Sequence, residues 1–236
     1  LTGARIEVRA AAGRARVAMS AAAGATFVPR LLERTAATAR VALVAGGAMI
    51  LGGDRIGLDV RVGPGCGLEL VEVGGTVAYD ADGRSSSWIT DVTLDDGAWL
   101  VWRGLETVIA DGADLHRCTR LTLAAGARAA VRDVVVLGRS GERGGRVHLE
   151  TVVDVDGRPL LVESVDATGD HREPGVLGDH RVMESILIAG ARPDDVSEPH
   201  TMALAGPGAL ARTLGSAVHD SPLEDTWNAW TSLATT

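Results

Sequence analysis

Six carboxylates, Asp54, Glu106, Asp111, Asp133, Glu142 and Glu163, interrupt or border apolar runs of the chain. An acid in such a place is costly unless it is paired or hydrated. Arg55, Arg103, Arg132 and Arg143 adjoin several of them, so structural ion pairs are one reading. A functional group of acids near the core is the other. The remaining chemistry-bearing residues form no constellation. His116, His148, His171, His180, His200 and His219 are dispersed, with no HxH or HExxH pair to bring two imidazoles to one face. His171 and His180 share a polar loop that is expected to be solvated. Cys66 and Cys118 lack CxxC or Cys/His spacing, which argues against a zinc knuckle or a disulfide framework. No Gly-x-Ser-x-Gly turn presents a nucleophile, and Ser85-Ser86-Ser87 sits in a polar turn. A Walker motif is impossible without Lys, and Gly63-Pro64-Gly65-Cys66-Gly67 reads as a turn, because Pro64 has no amide to donate to a phosphate and a strand follows.

These residues need a scaffold, and the patterning predicts a β-rich one. Leu58 to Val62, Leu68 to Val73, Asp91 to Leu94, Arg120 to Leu123 and Arg146 to Val152 alternate apolar and polar residues, as half-buried strands do. Val134-Val135-Val136-Leu137 has no polar interruption and suits a central strand covered on both faces. Asp82-Gly83, Asp96-Gly97, Asp111-Gly112 and Asp156-Gly157 mark turns. A weak repeat places Gly65, Gly97 and Gly126 at 32- and 29-residue intervals, each after a strand end and before a small residue. That spacing predicts stacked β-layers, about one coil per repeat. In the C-terminal third, Leu210, Leu214 and Val218 recur at helical spacing. Ser221-Pro222-Leu223-Glu224 reads as a helix start leading to Trp227 and Trp230 on one face. Two short helices are expected within 203–233.

Thirty-one acids against 23 Arg give a net charge of −8, with no basic run. Nucleic acid is not an expected partner. No stretch of about 20 apolar residues is present, so no membrane helix is expected. Arg14, Arg16 and the run Val17 to Val28 superficially resemble a signal peptide. The opening at Leu1 rather than Met, and Glu7 within the basic stretch, favour a core strand, and two distant cysteines without a disulfide framework fit a reducing cytoplasm.

Gly46-Gly47-Ala48-Met49-Ile50-Leu51-Gly52-Gly53-Asp54, followed by Leu58 to Gly65, resembles the Gly-Gly-x(4)-Gly-Gly-Asp stretch and Gly-Pro-Gly strand end of the urease accessory protein D family, also called UreD or UreH. Leu105-Glu106-Thr107-Val108-Ile109 with Asp111-Gly112-Ala113 is similar to that family's Pro-Gln-Glu-Thr-Ile…Asp-Gly-Ala block. Arg132-Asp133, Val136 to Arg139, Gly141-Glu142-Arg143 and Asp156 to Glu163 follow in family order. The resemblance runs from about Gly46 to Asp166. Gly104-Leu105 replaces the family's Pro-Gln, Thr76 to Tyr79 lacks its Lys, and Gly144 and Arg132 stand where aromatics are usual. The chain is identified as a divergent, actinobacterial-type member. A single domain over 1–236 is expected, with divergent N-terminal strands (1–45), a motif-bearing β core (46–166) and a C-terminal part holding a loop and helices (167–236).

The resemblance implies a mainly β protein with solenoid-like stacked layers and about two helices, acting as a non-enzymatic scaffold in nickel urease maturation. It implies partnership with the helical F component, through it with the G-component GTPase, and with apo-urease. No cofactor is held tightly; nickel is in transit through a water-filled interior passage. Asp133 and Glu163 are the expected transient oxygen ligands, with Glu106, Asp111 and Glu142 behind them. Carboxylates and waters release Ni²⁺, whereas a closed His/Cys site would trap it. Trp227 and Trp230 are expected to pack on the body or on the helical partner. Two alternatives remain: a carbohydrate-active or carbohydrate-binding β-solenoid or sandwich, which would need convergent carboxylates and exposed aromatics, and a purely structural interaction domain.

Overall fold

Ile56, Leu58, Val60 and Val62 are buried while Arg55 and Arg61 face solvent, so the period-two pattern of this run becomes a strand with one face in the core. The same rule builds the rest of the molecule. The computed structural model describes residues 2–47, 50–171, 173–196 and 199–236. Ala48 and Met49 of the glycine-rich motif lie outside the described residues.

The chain opens with β1 (Thr2–Arg9), β2 (Arg16–Ala21), β3 (Phe27–Arg34), β4 (Thr38–Ala45), β5 (Arg55–Val62) and β6 (Gly67–Glu72). Its middle holds β7 (Thr76–Ala78), β8 (Ser86–Leu94), β9 (Trp99–Ile109), β10 (Asp114–Leu123) and β11 (Arg128–Leu137). After these come β12 (Arg146–Val155), β13 (Arg158–Thr168), β14 (Val182–Ala189), β15 (Thr201–Ala203) and β16 (Gly208–Gly215). A single 3₁₀ turn, Val218–Asp220, and one helix, α1 (Glu224–Thr235), complete the described elements.

Two sheets enclose the core. The seven-stranded sheet runs β13-β12-β10-β8-β5-β1-β2. The nine-stranded sheet runs β15-β16-β14-β11-β9-β6-β4-β3, with β7 also on β9. β1, β5, β8, β10 and β12 are parallel neighbours, and so are β4, β6, β9 and β11. Each coil crosses from one sheet to the other through a turn containing a glycine of the predicted repeat. Gly65, Gly97 and Gly126 all have positive φ (62°, 63° and 67°). The turns stack: the Gly65 amide donates to the Asp96 carbonyl at 2.9 Å, and the Gly97 amide to the Ala125 carbonyl at 3.0 Å. The small residues after them, Cys66, Ala98 and Ala127, are buried. The solenoid-like stacking predicted from the spacing is present.

The run Val134 to Leu137 is covered on both faces as expected. Val135 and Leu137 join the core between the sheets, while Val134 and Val136 pack with Val182 on the outer side of the nine-stranded sheet. The segment Val17 to Val28 is not one core strand. It supplies the edge strand β2, a turn and the start of β3. No helix among the described residues is long and apolar enough to cross a membrane.

The expectation of two helices is corrected to one. Leu210 and Leu214 lie in β16, paired antiparallel with β14. Their spacing of four is also two strand periods, so it could not distinguish the two structures. Both side chains face the core between the sheets, while Ala209 and Ala211 lie under α1. The real helix begins at Glu224, with Glu224 and Asp225 in its first turn, where carboxylates favour the helix dipole. Leu223, Trp227, Trp230 and Ala234 form its buried stripe.

Candidate functional site

Strand parity lays a polar layer through the apolar interior. Across the seven-stranded sheet, register aligns Thr90, Thr119, Thr151 and Glu163. Across the nine-stranded sheet it aligns Asp133, Ser185 and Arg212. All but Thr90 line one cavity of about 50 Å³ between the sheets, together with Arg117, Trp102 and apolar side chains such as Leu149 and Met183. A water needs about 10–15 Å³ measured in this way, so the space admits a few. Asp133 and Glu163, far apart in sequence, therefore meet one cavity.

Neither acid is unpaired. Arg117 donates to Asp133 at 2.5 Å and to the Thr107 hydroxyl at 3.2 Å, and its guanidinium stacks 4.3 Å from the Trp88 ring. Arg212 grips Glu163 with two hydrogen bonds, at 2.7 and 2.6 Å, and donates to the Ser185 hydroxyl at 2.9 Å. Arg132, next to Asp133 in sequence, and Arg139, close by, are not their counter-ions. Instead Arg132 pairs with Glu184 on the other face of β11, and Arg139 pairs with Glu142. Paired in this way, the carboxylates avoid the penalty of an isolated buried charge and remain close to water.

Glu72 deepens the same layer. It is buried, accepts from the Trp102 indole at 3.0 Å and the Leu105 amide at 2.9 Å, and burial raises its carboxyl above the ordinary range against the pull of Arg117. The Leu105 amide is free to reach it because β9 bulges there: Arg103 and Glu106 pair with Arg132 and Val134, leaving two residues of β9 opposite Asp133 alone. Gly104 suits the bulge, since a Cβ there would stand 2.5 Å from the Arg132 carbonyl oxygen. This is where Gly104-Leu105 replaces the Pro-Gln pattern.

The other sequence-predicted acids do not reach the cavity. Glu106 is half-buried on β9, and it does not line the cavity. Asp54 accepts from the Leu51 amide at 2.8 Å and so closes the turn of the glycine-rich motif. Gly52 lies in that turn because a Cβ would meet the Ala81 carbonyl oxygen at 2.2 Å. Asp111 and Glu142 brace the loop between β11 and β12. One Asp111 oxygen accepts from the Arg143 and Gly144 amides (3.0 and 2.7 Å), and Glu142 accepts from the Arg139 and Asp111 amides (2.9 and 3.3 Å).

The Arg139 side chain and these amides lower the Glu142 carboxyl from its ordinary 4.5 to about 2. A carboxyl lowered in the folded state contributes stability above its unfolded pKa and loses it as pH falls through the folded value. Between pH 4.5 and 2 the wild-type melting temperature should therefore fall more steeply than that of Glu142→Gln, as followed by circular dichroism.

Trp227 and Trp230 are covered by the chain itself, packed with Ala130, Ile186, Ile188, Ala209 and Ala211. Of the two placements expected for them, the body is the one observed. Arg103 ties the start of α1 to the sheet through Glu224 at 2.7 Å.

Glu72, Arg117 and Arg212 escaped the sequence reading. Parity could have found the first two: Glu72 is in step with Leu68 and Leu70, and Arg117 with Leu115 and Leu121. Arg212 lay inside the segment read as helical. The dispersal of histidines in sequence was also misleading, because parallel register sets His116 beside His148 on the outer face of the seven-stranded sheet.

Comparison with known proteins finds relatives along most of the chain. The family described as "UreD urease accessory protein" matches residues 2–227. Urease accessory protein UreD 1 of Streptomyces griseus is 47% identical over 208 residues, covering 87% of this chain and 81% of the relative. UreD 3 of the same organism is 35% identical over 202 residues, covering 80% and 78%. The UreD of Frankia alni is 37% identical over 227 residues, covering 84% and 74%.

Proposed function

The chain belongs to the UreD urease accessory protein family, and from that premise we propose that it is a scaffold that conducts Ni²⁺ through its interior to apo-urease while bound to the F component and, through it, the G-component GTPase. As a family member it is an accessory protein of urease maturation, not a catalytic enzyme. The observation that carries the nickel reading is the cavity shared by Asp133 and Glu163, lined by hydroxyls as well as carboxylates and large enough for water. Its chemistry suits transit. Oxygen ligands hold a divalent first-row ion less firmly than imidazole or thiolate sets do. Arg117 and Arg212 neutralise the acids when no cation is present, and an arriving Ni²⁺ competes with the guanidinium groups for the same oxygens. The cation thus exchanges with a counter-ion instead of meeting a bare charge, which keeps both loading and release shallow in free energy.

Asp133→Asn combined with Glu163→Gln tests the reading. The pair of substitutions preserves shape and some acceptor capacity toward both arginines. Urease activation in cells should fall roughly tenfold, the lower range for loss of metal-orienting groups, while co-purification of the accessory complex is unchanged. Full activation by a folded, assembled double variant would remove the conduit role from these residues. A variant that loses its fold or its complex would make them structural ion pairs.

A further inference from the structure

A second cluster of metal-competent side chains lies on the outer face of the seven-stranded sheet, behind the cavity. Leu149 turns inward to the cavity, while its neighbours on β12, His148 and Glu150, face out. Parallel register sets His116 directly beside His148, and antiparallel register sets Asp166 on the other side of it. The imidazoles are 4.8 Å apart between ring centres, edge to face. One ligand atom each from His116, His148 and Glu150 lies within 4.8 Å of the other two.

The polarity of these contacts is unusual. His148 Nδ1 is 2.7 Å from an Asp166 oxygen, a contact that is a hydrogen bond when Nδ1 carries the proton. In that tautomer Nε2 presents a lone pair, and it faces a Glu150 oxygen at 3.4 Å. His116 Nε2 faces the other Glu150 oxygen, also at 3.4 Å. Two acceptors facing one another are satisfied by a proton or by a metal ion held between them. Ligand atoms held about 2.1 Å from a metal stand roughly 3.0–3.4 Å apart in octahedral or tetrahedral geometry; each nitrogen already stands 3.4 Å from one Glu150 oxygen, and the exposed rings need only small rotations to bring all three groups, now within 4.8 Å, onto one ion. Asp166 stands behind the ligating His148, the arrangement in which a carboxylate fixes the tautomer and raises imidazole basicity. The cluster is partly open to solvent, which leaves coordination positions for water and a path for exchange. Cys118, opposite Glu150 in register, is buried beside the cluster.

We propose that His116, His148 and Glu150, with Asp166 as a positioning residue, form a surface site for a divalent first-row transition ion. Imidazole with carboxylate suits Ni²⁺ and its neighbours rather than Mg²⁺ or Ca²⁺. The site does not depend on the interior conduit; only the choice of Ni²⁺ as probe follows from the reading above.

The test uses the full chain freed of any affinity tag, at pH 8, where a proton competes least with the metal. Ni²⁺ is paramagnetic, so substoichiometric NiCl₂ should broaden the ring signals of His116 and His148 before those of His171, His180, His200 and His219. In equilibrium dialysis, His116→Ala with His148→Ala should abolish one bound equivalent, and Asp166→Asn should weaken it roughly tenfold or more without removing a ligand. All these groups are at the surface, and an unchanged circular dichroism spectrum will report that the fold is intact. Single His116→Ala, whose ring has only Glu150 and His148 as neighbours in the cluster, serves if the double variant is poorly behaved, and it should weaken binding by a similar factor. Asp133→Asn with Glu163→Gln should leave this equivalent in place, so failure here and failure of the conduit are separate results. Indiscriminate broadening of all six histidines, or a double-histidine variant that binds as the wild type does, would overturn the proposal.

Discussion

Arg132→Ala is expected to destabilise the protein by about 3–5 kcal/mol, the usual cost of removing one partner from a buried ion pair. Arg132 and Glu184 retain only 8% and 3% of their side-chain exposure. The guanidinium donates to Glu184 at 2.6 Å and to the Gly104 carbonyl at 3.1 Å, at the bulge of β9. Without it the Glu184 carboxylate has no cation among the described residues, where its second oxygen already lacks a hydrogen-bond partner. The pair sits on the outer side of β11, between Ala130 under the helix and Val134 in the valine patch. Apolar side chains therefore suit the position. Arg132→Met combined with Glu184→Leu should recover most of the loss, because a buried pair replaced whole by apolar groups is often neutral or stabilising. Urea denaturation of the single and double variants measures both effects. A single variant within about 1 kcal/mol of wild type would show that the pair is better solvated than its burial indicates.

Trp230→Ala should cost about 3–5 kcal/mol, the range for deleting a fully buried aromatic from a packed site. The indole is 3% exposed. It rests on a floor of Ala130, Ala209 and Ala211 flanked by Ile186 and Ile188. These small side chains on a rigid sheet cannot move in to fill the space, so the cavity should persist. Loss of helicity and of the unfolding midpoint in guanidinium chloride gives the measurement. A cost below about 1 kcal/mol would mean that α1 can be released cheaply, and would reopen the possibility that Trp230 serves a partner. With Trp230 and Trp227 both turned inward, the outward face of α1 is left to Asp225, Asn228, Ala229 and Ser232. Any protein that docks on the helix meets a small, polar surface.

Much of the fold was legible because strands carry their own ruler. Leu58, Val60 and Val62 alternate with charge, and the Gly65–Gly97–Gly126 interval encodes the coil. The same ruler failed where its marks coincide with another. Leu210 and Leu214, four apart, satisfy a helix and a strand equally, and the choice was made by pairing with β14, a contact invisible in the local sequence. Asp133 and Glu163 could be named from their positions beside apolar runs. Their counter-ions could not, since Arg117 and Arg212 are 16 and 49 residues away and arrive through sheet register. Asp111 and Glu142 were indistinguishable from them in sequence, because a carboxylate accepting backbone amides and one lining a wet cavity have the same neighbours along the chain. His116 and His148 illustrate the converse: a spacing of 32 residues carries no motif, yet it equals one coil and places the rings side by side.

The order of strands has a consequence for how the molecule is built. Read from β2 and β1, the seven-stranded sheet continues β5, β8, β10, β12, β13; read from β3, the nine-stranded sheet continues β4, β6, β9, β11, β14, β16. Apart from the short β15, which precedes β16 in the chain and lies outside it, every later strand joins the outermost one already laid down, and none must be threaded between two that are paired. A nascent chain can thus assemble coil by coil as it leaves the ribosome, in the direction of synthesis. Until β13 and β16 arrive, the growing end of each sheet is a row of unpaired amides and carbonyls, open to any other extended chain. Arrival of β12 and β14 covers the flanks of β10 and β11, and a chain stalled after β11 would have the bare flank of the Val134 to Leu137 strand exposed to the cell.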